Sequence, residues 1–291
     1  MKKTFCLLPI ALFLVFLVPR SLFSQLKNWK DVKLEFSTGI SWDFSPLKTS
    51  YLHQYSPPFL SGAYVSTAQQ TFHIQGRSSA GVNGVLTYYP LEHIGIQAQV
   101  EYGRPRLRGG NSAYAVNLNY ALTSPAGSPP YPYVFERSYG WPSTDGILDE
   151  LCVSLDAVAR LPLSRRQSLN LSGGLTYFNV KAETAGIAYS QYWMEAGYFM
   201  GETYQLKVKL GPFQKLGLNL GGEFNWIVFS TVAVVADVRF FSCPEAKVPL
   251  NVEPNEMLTT PLAQVKATMN LGSVQIDPTF YRVNLGLKYL F

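Results

Sequence analysis

The chain is poor in the residues that most site chemistry needs. It holds three histidines and three cysteines among 291 residues. No His/Cys cluster has zinc-ligand spacing, and no glycine-rich phosphate loop opens a helix, so neither a metal, nor a nucleotide, nor any cofactor is expected. Charge is scarce as well, at 15% of residues. The formal net charge of +5 falls to +2 over residues 25–291, with 21 basic and 19 acidic side chains, so there is no electrostatic footprint for nucleic acid. In that span the cysteines are Cys152 and Cys243, too few for a disulfide framework, and one bridge between them stays open. Long hydrophobic runs are missing too. The run Phe5–Val18 is 14 residues, against about 20 for a membrane-spanning helix. Trp226–Val238 is 13 residues, is broken by Ser230-Thr231 and carries Asp237.

What is present begins with an export pattern. Lys2 and Lys3 precede the Phe5–Val18 run, followed by Pro19, Arg20 and the small residue Ser24. This order predicts a signal peptide over residues 1–24, cleaved near Ser24, and a single domain over 25–291.

Within that domain, period-two alternation recurs eight times. Leu34, Phe36, Ile40, Trp42 and Phe44 oppose Lys33, Glu35 and Asp43. Phe72–Tyr88 and Ile94–Tyr102 follow, joined by the tight link Tyr89–His93, with Arg77 and Glu101 on their polar faces. Leu151–Leu161 opposes Asp156 and Arg160, and Leu169–Tyr177 opposes Asn170, Ser172 and Thr176. Leu216–Trp226 opposes Glu223, and Val232–Phe240 opposes Asp237 and Arg239. The last segment sets Tyr281, Val283, Leu285, Leu287, Tyr289 and Phe291 against Arg282, Asn284, Gly286 and Lys288. One apolar and one polar face per strand is the pattern of a transmembrane barrel, which must close because open edges cannot sit in hydrocarbon. Short links near 90–93, 162–167 and 228–231 alternate with long ones at 45–70, 103–147, 184–215 and 242–279. The expected fold is therefore all-β: a closed antiparallel up-and-down transmembrane barrel of eight strands. Tyr204–Leu210 reads as a hairpin arm rising above the membrane and turning at Gly211-Pro212. Pairing it with a strand around Gln264–Leu271 gives a ten-stranded alternative.

The carboxy-terminal strand resembles the assembly signal of outer-membrane β-barrels, polar-x-Gly-x-x-aromatic-x-aromatic, at Asn284, Gly286, Tyr289 and Phe291. The stretches Gly84–Gly95, Leu161–Ser164 leading into Leu171–Leu175, Leu218–Phe224 and Asp237–Arg239 are similar to the small outer-membrane barrel superfamily of the OmpA membrane domain and OmpW-like proteins. The resemblance implies a Gram-negative outer-membrane location, insertion by the barrel-assembly machinery, and lipid and lipopolysaccharide as surroundings. It implies no single activity, since such barrels include tethers, adhesins, small channels and lipid-modifying enzymes.

Lys33, Glu35, Arg77, Glu101, Asp156, Arg160, Glu223, Asp237, Arg239, Arg282 and Lys288 are the expected lumen-lining charges. In a narrow barrel such charges pair and plug the interior. The expected role is thus non-enzymatic, structural or surface-interacting, with a small pore or a conduit for small or hydrophobic molecules as alternative. A lipid A-modifying hydrolase is a second alternative, because His73 with Ser50, Ser56 or Ser66 resembles a deacylase constellation without diagnostic spacing. Arg104, Arg106 and Arg108 alternate at the predicted outer rim and suit lipopolysaccharide phosphates. Tyr114, Tyr120, Tyr131, Tyr133, Tyr139 and Trp141 suit either contact with an external protein or glycan, or packing of the loop on itself.

Overall fold

Eight strands with an apolar outer face close into a barrel, and the remainder of the chain builds a sheet structure on one end of it. The computed structural model describes residues 29–44, 48–57, 65–76, 78–109, 112–122, 131–141, 145–195, 198–253 and 256–291. The export segment 1–24 and Arg77 lie outside the described residues. The strands are β1 (Leu34–Phe44), β2 (Lys48–Tyr55), β3 (Val65–Gly76), β4 (Ser79–Tyr88), β5 (Ile94–Gly103), β6 (Arg106–Gly109), β7 (Ser112–Leu122) and β8 (Tyr131–Trp141). There follow β9 (Gly146–Pro162), β10 (Gln167–Glu195), β11 (Tyr198–Phe229), β12 (Val232–Ser242), β13 (Ala246–Val252), β14 (Ser273–Ile276) and β15 (Phe280–Leu290).

Antiparallel pairing runs β1–β4–β5–β9–β10–β11–β12–β15 and returns to β1, which closes the eight-stranded ring. At the closing seam Gly39 sits opposite Gly286. A Cβ on Gly39 would lie 2.5 Å from the Leu285 carbonyl oxygen and 2.9 Å from the Gly286 Cα, so the approach of the two backbones requires glycine there. Both described ends of the chain lie at the short-turn end, called inner below; the long connections lie at the outer end.

Side chains alternate across the wall with soluble-protein polarity inverted. Leu155, Leu175, Leu216, Leu218 and Leu220 stand on the outside, Leu220 with 67% of its surface exposed. Exposed aromatics gather near the two ends: Phe36, Tyr88, Trp226, Phe229 and Phe291 at the inner one, Trp42, Phe44, Tyr102, Tyr177 and Tyr281 at the outer one. An apolar band bounded by aromatic girdles is what a bilayer selects.

Above the outer girdle the chain is more ordered than loops. β10 and β11 continue as one long hairpin, with β13 and β14 beside it. Tyr204–Leu210 is therefore an arm rising above the barrel, as its alternation predicts, but Gly211-Pro212 is a bulge inside β11 rather than a turn. The ten-strand alternative fails, because Leu262–Met269 is a helix (α1). Its Leu, Ala, Gln, Lys and Met are good helix formers, Pro261 stands at its start, and Asn270 in the left-handed region (φ 43°) ends it. On the other side β2, β3, β6, β7 and β8 form a second layer, continuous with the barrel through the β6–β9 pairing. The two enclose an apolar core that includes Val180, Ile187, Leu206, Val208, Val248, Val265 and Met269.

β9 stops covering β10 beyond Thr184, and side chains replace the missing strand. Gln70 donates through Nε2 to the Gly186 carbonyl at 2.7 Å and accepts from the Ala188 N–H at 2.9 Å. The Tyr55 hydroxyl accepts from the Ser190 N–H at 2.7 Å. A bare strand edge is thus satisfied without a strand.

Candidate functional site in the barrel lumen

Inward positions of the eight strands form a charged column. Among the described residues it holds seven carboxylates (Glu35, Asp43, Glu101, Glu150, Asp156, Glu223, Asp237) and four cations (Arg160, Arg239, Arg282, Lys288), each at most 5% exposed. They sort into three storeys.

The inner storey is balanced. Arg160 pairs with Glu35, and Lys288 pairs with Glu35 at 2.8 Å and with Glu223. Asn170 and Asn225 donate to Glu223 at 2.8 and 2.9 Å. A short 3-10 turn, Trp29–Asp31, seals this storey from below. Arg160 donates to the Trp29 and Val32 carbonyls at 2.6 and 3.0 Å, and its guanidinium lies 3.4 Å from the Tyr89 ring centroid. Trp29 and Val32 pack in a buried cluster with Ile227, Ala233 and Leu290. Two charges of each sign, asparagine donors to Glu223 and an apolar stopper are what a buried ion-pair network needs.

The middle storey has one cation for two acids. Arg239 pairs with Asp156 at 2.5 Å and donates to Asn219, Gln97 and Ser172 at 3.0, 2.9 and 2.9 Å. Asn219 in turn donates to Asp156 at 2.6 Å. Asp237 stands 3.8 Å from Arg239 and makes no hydrogen bond through either oxygen.

The outer storey has one cation for three acids. Arg282 pairs with both Asp43 and Glu101. Gly103 leaves the room that an Asp43 oxygen fills, and Gly103 is the register partner of Glu150. Both carboxylate oxygens of Glu150 are buried without a hydrogen-bond partner. Phe241 and Phe280 stack at 4.6 Å above Arg282, with Phe178 edge-on at 6.3 Å to each, and close the column.

Of the charges expected in the lumen, Lys33 is not there. It is exposed, because β1 begins one residue later and alternation does not extend to it. Asp43 is on the inward face. Glu150 was hidden from the sequence reading by one step of alternation, since continuing inward positions outward from Asp156, Ser154 and Cys152 reaches it. Trp29 left no periodic signal at all. Cys152 and Cys243 are both buried and unbridged.

In the assembly motif, Asn284 points inward and Phe291 is exposed, its ring 4.7 Å from that of Tyr289. Arg104 and Arg106 are exposed at the outer rim. Arg108 pairs by register with Gln75, its side chain outside the described set. Ser50 lies opposite His73 in the β2–β3 register, whereas Ser66 lies far along β3, opposite Leu118 on β7, and Ser56 follows the end of β2. The tyrosine-rich segment is a β7–β8 hairpin. Its register sets Tyr114 opposite Tyr139, Tyr120 opposite Tyr133, Tyr131 opposite Leu122 and Trp141 opposite Ser112, the side chains lying outside the described residues. His53, on β2, is buried between Tyr51 and Tyr55, and burial pulls its pKa down to about 4. No group of three or more His, Cys, Asp or Glu among the described residues is arranged to hold a metal ion.

A closed eight-stranded barrel, apolar outside and charged inside, is the construction of a small outer-membrane β-barrel protein. No family model matches the chain. No curated protein matches it either. Among solved structures, it is similar to the outer membrane protein OprG from Pseudomonas aeruginosa, with a TM-score of 0.46 and 10% identity over 92% of this chain and 99% of that one. The outer membrane protease OmpT from Escherichia coli overlaps with a TM-score of 0.34 and 11% identity, covering 92% and 100% of the two chains. Ail, the attachment invasion locus protein of Yersinia pestis, overlaps with a TM-score of 0.32 and 11% identity, covering 88% and 98%. None of these overlaps carries a role across to this chain.

Proposed function

We propose that this chain is exported with loss of residues 1–24 and inserted in a bacterial outer membrane as a non-enzymatic barrel whose lumen is plugged by its own side chains. Its role is then structural, or an interaction made by the sheets that stand above the barrel with an extracellular protein or glycan. The carrying observation is the sealed charge column, closed by Trp29 below and by Phe178, Phe241 and Phe280 above. The barrel-assembly machinery is the expected partner during insertion, through Asn284, Gly286, Tyr289 and Phe291. The test is solute flux: liposomes carrying the folded protein should swell no faster in a small sugar or amino acid than protein-free liposomes.

One observation favours a second reading, a narrow conduit. Among the described residues, three more carboxylates than cations line the lumen. If the seals open, such a lumen favours cations over anions. Swelling in a cationic amino acid but not in an anionic one would move this reading to first place.

A further inference from the structure

We propose that the outward face of β5, β6, β9 and β10, just above the outer girdle, binds the phosphorylated headgroup of an outer-leaflet glycolipid through Arg104, Arg106 and Lys181. The proposal rests on the reading above that the apolar face lies in a bilayer.

Register and exposure assemble the site from three separate parts of the chain. Arg106 on β6 pairs with Ile147 on β9, and Lys181 on β10 pairs with Asp149 on β9. Leu107, Leu148 and Ala182, one step along each strand, are all buried, so alternation turns Arg106, Ile147, Asp149 and Lys181 outward. Arg106 and Lys181 flank β9 diagonally, with Cα atoms about 12 Å apart by strand spacing and rise. Long side chains bridge that gap onto one phosphate, or each takes one of two.

The carboxylates at this rim are arranged to steer the cations rather than to cancel them. Asp149 holds Arg104 through Nε at 2.7 Å, leaving the two terminal guanidinium nitrogens for a second acceptor. Its other neighbour is the Tyr102 hydroxyl at 3.2 Å. Glu183 lies 3.5 Å from Lys207, and Glu253 pairs with Lys209. Arg106 and Lys181 take part in no such ion pair among the described residues.

What lies beneath selects an amphiphile over a free anion. Tyr102 is two residues below Arg104 on the same face, and Tyr177 is four below Lys181. Val153 and Leu216 flank Tyr177 in register and Leu175 lies two residues below it, all exposed. Acyl chains against this band hold a phosphate at the height of the cations, a match that neither inorganic phosphate nor nucleic acid shares.

The test uses the full chain, expressed, extracted from membranes and reconstituted in nanodiscs, with native mass spectrometry to count retained lipid. The probes are a diphosphorylated lipid A and the same lipid with its phosphates removed, the latter also with inorganic phosphate added. The expected result is preferential retention of the phosphorylated lipid, falling about tenfold in the double variant Arg106→Glu, Lys181→Glu and kept in Arg106→Lys, Lys181→Arg. Reversal of Arg165 and Arg166 in the inner turn should leave retention unchanged. Equal retention of the two lipids overturns the proposal, as does equal loss from the inner-turn variant. Failure to enter nanodiscs at all overturns the membrane reading as well, and gel migration with and without heating separates that case.

Discussion

The two ends of the lumen solve the same problem differently. At the inner end Arg160 and Lys288 meet Glu35 and Glu223, two charges against two, with asparagine donors on Glu223 and backbone carbonyls on Arg160. At the outer end Arg282 is, among the described residues, the one cation facing Asp43, Glu101 and Glu150, under three phenylalanines. The inner network is built like a lock, since Glu35 bridges Arg160 and Lys288 while Lys288 bridges Glu35 and Glu223. The outer one carries uncompensated acid, and its closure comes from apolar packing rather than from pairing. Burying a charge costs several kcal/mol unless it is paired, so the two storeys should answer in opposite directions when one charge is deleted.

The largest effect is expected at the lock. Arg160→Met takes one of the two cations from Glu35, leaves two backbone carbonyls without their donor, and should lower the stability of the folded barrel by about 3–5 kcal/mol in urea titrations followed by gel migration. A loss under about 1 kcal/mol would mean that the pairing is incidental. Next comes the stopper. Trp29→Ala removes a fully buried ring from the inner seal, at a cost of about 3–4 kcal/mol in the same titration. Solute flux through that variant reports whether the stopper or the ion pairs close the inner end.

A contribution outside the lumen must be separated before pH is used to compare the storeys. His53, in the outer sheets, is held neutral to about pH 4, below the 6.5 of the unfolded chain. The unfolded state binds the proton first, so stability is full above about pH 6.5 and falls as pH drops toward 4. The loss is roughly 3 kcal/mol at most. His53→Phe should flatten that slope; a slope unchanged by the substitution would assign it to the lumen instead. The smallest effect belongs to the outer storey: Glu150→Gln keeps the shape, removes an unpartnered carboxyl group, and should change stability by within about 1 kcal/mol, in the stabilising direction. Loss of several kcal/mol would give Glu150 a partner that the geometry does not.

The contrast also explains what the sequence made legible. Eight strands could be read from Leu34 to Phe291 because a bilayer demands apolar residues at every second position, and few other environments do. Most lumen charges followed, since they occupy the complementary positions. Apart from the Tyr204–Leu210 arm, the outer sheets read as loops in the sequence because Pro, Gly, Ser and Tyr break the alternation there, and α1 is too short to announce itself among them. Lys181 stayed hidden as a rim cation because its neighbours are set by the β9–β10 register, not by local spacing. Trp29 and Glu150 were missed for different reasons. The first acts through a single buried contact set with no period, and the second lies one alternation beyond the segment taken as the strand.

The central claim is a sealed lumen, and single-channel recording tests it most directly. Protein reconstituted in a planar bilayer, after heat-modifiable migration has shown it folded, should give a flat current trace across the voltage range. Reproducible conductance steps that change when Glu101 or Arg282 is neutralised would contradict the plug and make the column a pathway.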